Sequence, residues 1–180
     1  MRIGIDVSQL AYSNTGVANY LENLVFELIK NKKNEYILFF SSLRRNVPLV
    51  VSEFAKKQNV TVKTFRFPPF ALNMIWNNIH KIPIENFIGD VDWFITSDWT
   101  EPPVKCAKKA TILYDLIVYR YPNETDEKII SVQKKKLSWV KKESDLIFCI
   151  SESTKKDAKD ILKIDNDRLK IIYPGFNSLS

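Results

Sequence analysis

Glycine is scarce in this sequence, four in 180 residues, and no G-x-G-x-x-G occurs. The glycine fingerprint of dinucleotide-binding loops is therefore absent. Cysteine is scarcer: Cys106 and Cys149 are the only two, with no pairing pattern. Cys149 lies inside an apolar run and reads as a buried thiol. With no disulfide framework and no secretory signal, the chain is expected in a reducing cytoplasm. No apolar run approaches the length that crosses a bilayer, so membrane contact is expected to be peripheral. His80 is the one histidine. Internal repeats, low-complexity segments and nucleic-acid motifs are missing, so nucleic acid is not an expected partner.

What is present fits a globular domain. Hydrophobic residues make up 45% and charged residues 27%, and the length suffices for one domain with a core. The formal charge is +6 and the pI about 9.2. This balance favours acidic partners such as nucleotide phosphates or anionic lipid, and it also serves solubility.

The first thirty residues organise the rest. Arg2–Val7 reads as a buried strand and Gln9–Thr15 as a polar loop. From Gly16 to Asn31, Val17, Tyr20, Leu21, Leu24, Val25, Leu28 and Ile29 recur at helical spacing on one face. Thr15 is the expected N-cap, and Gly16 leaves room for a ligand to approach the backbone. A strand, a loop and a bare helix N-terminus make a place for an anion.

Further strands are expected at Glu35–Ser41, Val60–Phe65, Val91–Thr96, Ala110–Leu116, Asp145–Ile150 and Leu169–Tyr173. Helices are expected at Pro48–Lys57, Ala71–Lys81, Asp126–Glu143 and Glu152–Leu162. Strands alternate with helices and are nearly all apolar, as when helices cover both faces of a sheet. The expected fold is α/β, a doubly wound, mostly parallel, Rossmann-like sheet. Its ligands would bind beyond the carboxyl ends of the strands, at Ser8–Gly16, Ser97–Pro103, Tyr114–Tyr119, Ser151–Thr154 and Pro174–Asn177.

Five segments then occur in a telling order: RIGIDVSQL, TGVANYLENLVFELIK, ATILYDLIVYRYP, DLIFCISESTKKDAKDIL and RLKIIYPGFN. Together they resemble the N-terminal half of a family 4 glycosyltransferase of the GT-B fold, mannosyltransferase-like. The resemblance covers essentially the whole chain. It implies that residues 1–180 form the N-terminal, acceptor-binding domain of a two-domain enzyme. A C-terminal nucleotide-sugar domain with a Glu-x7-Glu motif, entered through PGFN, would by this resemblance lie outside these residues. Sugar would pass with retention from a nucleotide-diphospho-sugar to a surface-glycan or lipid-linked acceptor, with no bound metal or other cofactor. The chain alone is expected to be inactive. A non-catalytic glycan- or partner-binding module, or one subunit of a split transferase, is the alternative.

By the same resemblance Gly16 and Val17 would offer N–H groups to the donor diphosphate. The family commonly ends its fifth strand with His-Asp, where this chain has Tyr114 and Asp115. These two are the candidate catalytic pair, although a tyrosine with a pKa near 10 is a poor general base. The alternative is a core tyrosine beside a solvated aspartate. Asp98 and Glu101 are candidate acceptor contacts or a substitute base, or else a solvated loop. Ser151 reads as a helix N-cap, and its hydroxyl is a further candidate acceptor contact. Asp90-Val91-Asp92 is a D-x-D, but it precedes a strand, which argues against metal.

On Asp126–Glu143, Lys128, Lys134, Lys135, Lys141 and Lys142 share one arc, with Lys136 the exception. That arc is either a solvated face or attracts anionic lipid. Phe65–Phe70 and Trp76 form an aromatic insert broken by Pro68 and Pro69. It reads either as core or as a lip at a membrane interface.

Overall fold

The computed structural model describes residues 1–97 and 99–175. Its strands are β1 (Arg2–Asp6), β2 (Glu35–Ser41), β3 (Val60–Phe65), β4 (Trp93–Thr96), β5 (Lys108–Leu113), β6 (Leu146–Cys149) and β7 (Leu169–Ile171). They form one seven-stranded sheet in the order β3-β2-β1-β4-β5-β6-β7, with every neighbouring pair parallel. The helices are α1 (Gly16–Ile29), α2 (Leu49–Ala55), α3 (Pro69–Leu72), α4 (Glu85–Ile88), α5 (Ile117–Arg120), α6 (Glu127–Glu143) and α7 (Glu152–Asp160). This is the expected Rossmann-like architecture. β2 and β3 match their sequence limits at both ends, and the other strands lie within a few residues of theirs.

Alternation along each strand sorts side chains to two faces. Tyr36, Leu38 and Phe40 of β2 join the core with Leu21 and Val25 of α1 and Val51 and Phe54 of α2. Ile37 and Phe39 face the opposite side, against Leu72, Trp76, Ile84 and Ile88. Leu137, Val140, Ile147, Ala158 and Leu162 belong to a third cluster shared by α6, β6 and α7. Arg168 closes α6, donating from Nη1 to Lys141 O at 3.0 Å and from Nε to Ser144 O at 2.9 Å.

The segment expected as one helix over Ala71–Lys81 differs. After α3 the chain widens into a π-helix at Asn73–Ile79 and stops at His80, which takes the left-handed conformation at φ 54°. Adjacent residues Trp76 and Asn77 are both buried on this segment. Trp76 Nε1 donates to Ile82 O at 3.1 Å, and Asn77 Nδ2 to Trp99 O at 2.9 Å. The His80 ring stacks on Trp139 of α6 at 3.6 Å. The aromatic insert divides: Phe65 and Phe67 stack on each other and meet Phe87, whereas Phe70 is 71% exposed.

Gly4 marks the closest approach between β1 and α4. A Cβ there would lie 2.7 Å from both Ile88 Cδ1 and Phe94 Cδ2. Gly4→Ala is expected to destabilise the fold by about 1–3 kcal/mol, as overpacking does. At Gly16 an added Cβ meets nothing within 4 Å, so Gly16→Ala serves as the control in urea denaturation. Equal midpoints for the two variants would mean that α4 yields without cost.

Candidate functional site

The chain leaves β1 in two directions, through β2 and β3 on one side and β4 to β7 on the other. The carboxyl ends of β1 and β4 therefore flank the point where strand order reverses, where open α/β sheets bind ligands. Three groups of residues meet at this edge.

The first is the N-terminus of α1. Thr15 Oγ1 accepts from Ala18 N at 3.1 Å, as a capping residue does, and Asn19 N bonds to Thr15 O at 3.0 Å. The N–H groups of Gly16 and Val17 have no hydrogen-bond partner among the described residues. Gly16 is exposed and Val17 half-buried. Two unpaired donors at the positive end of a fourteen-residue helix suit an anion.

The second group lies between β1 and β4. Asp6 ends β1, is 7% exposed, and accepts from Ser8 N at 2.9 Å. Burial pushes its carboxyl above the ordinary range; the Ser8 hydrogen bonds and the Lys136 charge offset this only in part. Lys136 of α6 is buried, with Nζ donating to Ser97 O at 2.5 Å. Tyr114 is half-buried, with its hydroxyl 3.1 Å from Ser97 Oγ. Its ring meets Tyr20 edge-on at 5.6 Å, and its carbonyl accepts from Thr154 Oγ1 at 3.0 Å. Tyr20 in turn donates to Ile172 O at 3.0 Å, and burial raises its phenol to about 12.

The third group lies beneath. Glu101 is fully buried, so it is not a solvated loop residue. Thr96 and Thr111 each donate to its carboxylate at 2.8 Å, and Lys109 Nζ lies 3.5 Å from Oε1. Lys109, also fully buried, donates to Pro102 O at 3.0 Å and to Glu143 Oε2 at 2.9 Å. Burial pushes the Glu143 carboxyl up, but the Lys109 hydrogen bond and charge, then those of His80, hold it below its ordinary value. His80 Nδ1 lies 2.5 Å from Trp76 O and Nε2 lies 2.9 Å from Glu143 Oε1. Every member of this network is satisfied inside the protein, and Glu101 is fully buried within it.

The other expected residues are placed as follows. Asp115 is exposed, and its Oδ1 accepts from Ile117 N at 3.1 Å, starting the turn into α5. Ser151 caps α7, accepting from Thr154 N at 3.1 Å, and is half-buried at the edge. Asp98, the remaining expected acceptor contact, lies outside the described residues, as do Phe176 and Asn177 of the PGFN exit. Asp92 sits at the opposite, amino edge, where Oδ2 accepts from Arg2 N at 2.7 Å. The lysines of the basic arc on α6 are exposed.

Sequence reasoning missed Asp6, Lys109 and the inward role of Lys136. A signal existed for two of them, an acid near the end of an apolar strand and a lysine off the basic arc of its helix, whereas Lys109 enters a strand only because β5 begins at Lys108, two residues before the expected start.

The fold is similar to two solved structures. One is a glycosyltransferase from Rickettsia africae ESF-5, with a TM-score of 0.54 and 16% identity, covering 98% of this chain and 43% of that chain. The other is Anabaena HepE in complex with UDP, with a TM-score of 0.51 and 11% identity, covering 98% and 44%. This chain thus spans less than half the length of each. No family model and no curated protein matches it. Among the described residues no helix is long and apolar enough to cross a membrane.

Asp6 generates a test of the site's strain. Because its folded pKa is raised above the ordinary 3.8, its ionisation at neutral pH opposes folding. The stability it contributes is complete below the unfolded pKa and is lost as pH rises through the folded one. Asp6→Asn is therefore expected to melt above the parent chain at pH 7, with the gap closing as pH falls to about 4. Thermal melts across that range measure it, and parallel curves would show an unstrained carboxyl.

Proposed function

We propose that this chain is the acceptor-binding half of a retaining, metal-independent glycosyltransferase of the GT-B fold, family 4 and mannosyltransferase-like. It would help move a sugar from a nucleotide-diphospho-sugar to a surface-glycan or lipid-linked acceptor. The observation that carries the reading is the pair of unpartnered N–H groups at Gly16 and Val17, beside the strand-order switch. Likeness to a glycosyltransferase and to a UDP-bound protein, over less than half of each, supports it.

In this reading the diphosphate leaving group lies against the α1 N-terminus, where backbone donors stabilise the charge released on bond cleavage. The acceptor hydroxyl sits over Ser97 and Tyr114. Tyr114 orients it by hydrogen bonding, and Asp6 offers a carboxylate at the end of β1. Asp115 and Ser151 border the same edge. Glu101 holds the loop from beneath and does not touch substrate. Most donor contacts would come from a second domain. The exposed lysines of α6 and Phe70 suit a peripheral position at the inner face of an anionic membrane.

Gly16→Val, studied together with a donor domain, is expected to weaken nucleotide-sugar binding roughly tenfold, about 1.4 kcal/mol, while leaving the melting temperature unchanged. Calorimetric titration reads the first and circular dichroism the second. Unchanged affinity would remove α1 from the donor site. This chain alone is expected to transfer no sugar; turnover by the purified chain, with contaminating transferase excluded, would overturn the half-enzyme reading.

A further inference from the structure

A cavity of about 210 Å³ opens at the carboxyl ends of β2 and β3, and neither Asp6 nor Ser97 lines it. Ser42, Arg45, Asn46, Thr64 and Arg66 line it, over a floor that includes Phe40. Parallel register brings these residues together: Ser41 pairs with Phe65, and Ser42 N donates to Phe65 O at 3.2 Å. Its polar walls carry two guanidinium groups and two hydroxyls but no carboxylate.

Arg45 is held in place. Its backbone N–H donates to Ser42 Oγ at 3.0 Å, its Nη1 donates to Ala11 O at 3.0 Å, and its guanidinium lies 4.7 Å over the Tyr12 ring. The tether to Ala11 and Tyr12 joins the cavity to the loop that leads into α1. Four of its five N–H donors remain unused among the described residues. Arg66, likewise among the described residues, has no hydrogen bond or ion pair. Charge in the sequence agrees. From Tyr36 to Ile84 there are seven Lys and Arg but one acid, Glu53, so the formal excess of the whole chain, +6, arises here. Glu53 is itself paired with Lys56 on α2 at 2.6 Å.

We propose that this cavity is an oxyanion subsite that takes a phosphate or carboxylate group of the acceptor. Two forked guanidinium donors with flanking hydroxyls match such groups geometrically. The volume is below that of pockets enclosing whole drug-sized ligands, and fits one charged group while the rest of the acceptor runs toward β1 and β4. The subsite rests on the transferase reading only for the identity of its ligand as the acceptor.

The test is an NMR titration of the isotope-labelled chain with methyl phosphate, with glucuronate and with UDP, each alone. Methyl phosphate or glucuronate is expected to move the amides of Ser42, Asn46, Thr64 and Arg66. The tighter of the two identifies the source, a phosphate ester or a uronate. Arg66→Gln is expected to weaken that binding roughly tenfold, and Arg44→Gln, beside the cavity but not lining it, to leave it within about twofold. Equal losses in both variants would show diffuse surface charge and overturn the subsite. Binding to phosphatidylglycerol vesicles, with no response to either soluble anion, would overturn it in favour of a membrane contact. If UDP moves Gly16 and Val17 but neither anion moves the Ser42 region, the subsite falls and the transferase reading stands. The reverse pattern keeps the oxyanion subsite, and the transferase reading then stands or falls on the Gly16→Val titration made with a donor domain.

Discussion

A carboxylate placed in a protein interior must be matched by donors, because an uncompensated buried charge costs about 3–5 kcal/mol. Glu101 imposes that requirement on the centre of this sheet. Its carboxylate is fully buried and draws in Thr96 of β4, Thr111 and Lys109 of β5, and Ser144, whose hydroxyl reaches both Thr111 and Glu101. Lys109 then carries the constraint to Glu143 at the end of α6, and Glu143 to His80 at the end of the π-helix. One charged group thus fixes two neighbouring strands, the loop after the first, and two helical segments that pack on them.

This arrangement supports the polar groups along the upper edge. Since Glu101 and Lys109 satisfy each other below, the polar groups above them are positioned without being consumed. The hydroxyls of Ser97 and Tyr114 meet at the end of β4, Lys136 holds the Ser97 carbonyl, and Asp6 closes β1 alongside. Polar groups backed by a satisfied second layer hold their geometry. The raised pKa of Asp6 is the local cost of crowding a carboxyl into that edge.

The π-helix serves the same scaffold from the other face. It packs beside α6, where Trp139 Nε1 donates to Asn77 O at 2.8 Å and the ring supports His80. Within it Trp76 is buried among aromatics, and the Asn77 amide accepts from Glu101 N at 3.0 Å. The segment ends at His80, whose backbone is left-handed and whose ring nitrogens and flat face are all engaged.

Local physics made much of this legible in the sequence. An apolar run set β2, and β-branched residues alternating with polar ones set β3, to the residue, and short-range side-chain to backbone bonds identified Thr15 and Ser151 as caps. The periodicity of α6 separated its exposed lysines from the face that includes Leu137 and Val140. Strand and helix alternation was enough for a parallel, doubly wound sheet, because βαβ units leave few other ways to pair. What depended on partners distant in the chain did not show. Glu101 looked like a loop carboxylate beside Asp98, and only the approach of β5 and α6 reveals it as the centre of the core. Lys136 was marked as an exception on its helix, but its target, Ser97, is known only once α6 lies across β4. The cavity between Arg45 and Arg66 likewise exists only because parallel pairing sets residues more than twenty apart side by side. Propensity and periodicity act within a few residues, whereas burial and charge pairing are settled by what folds against them.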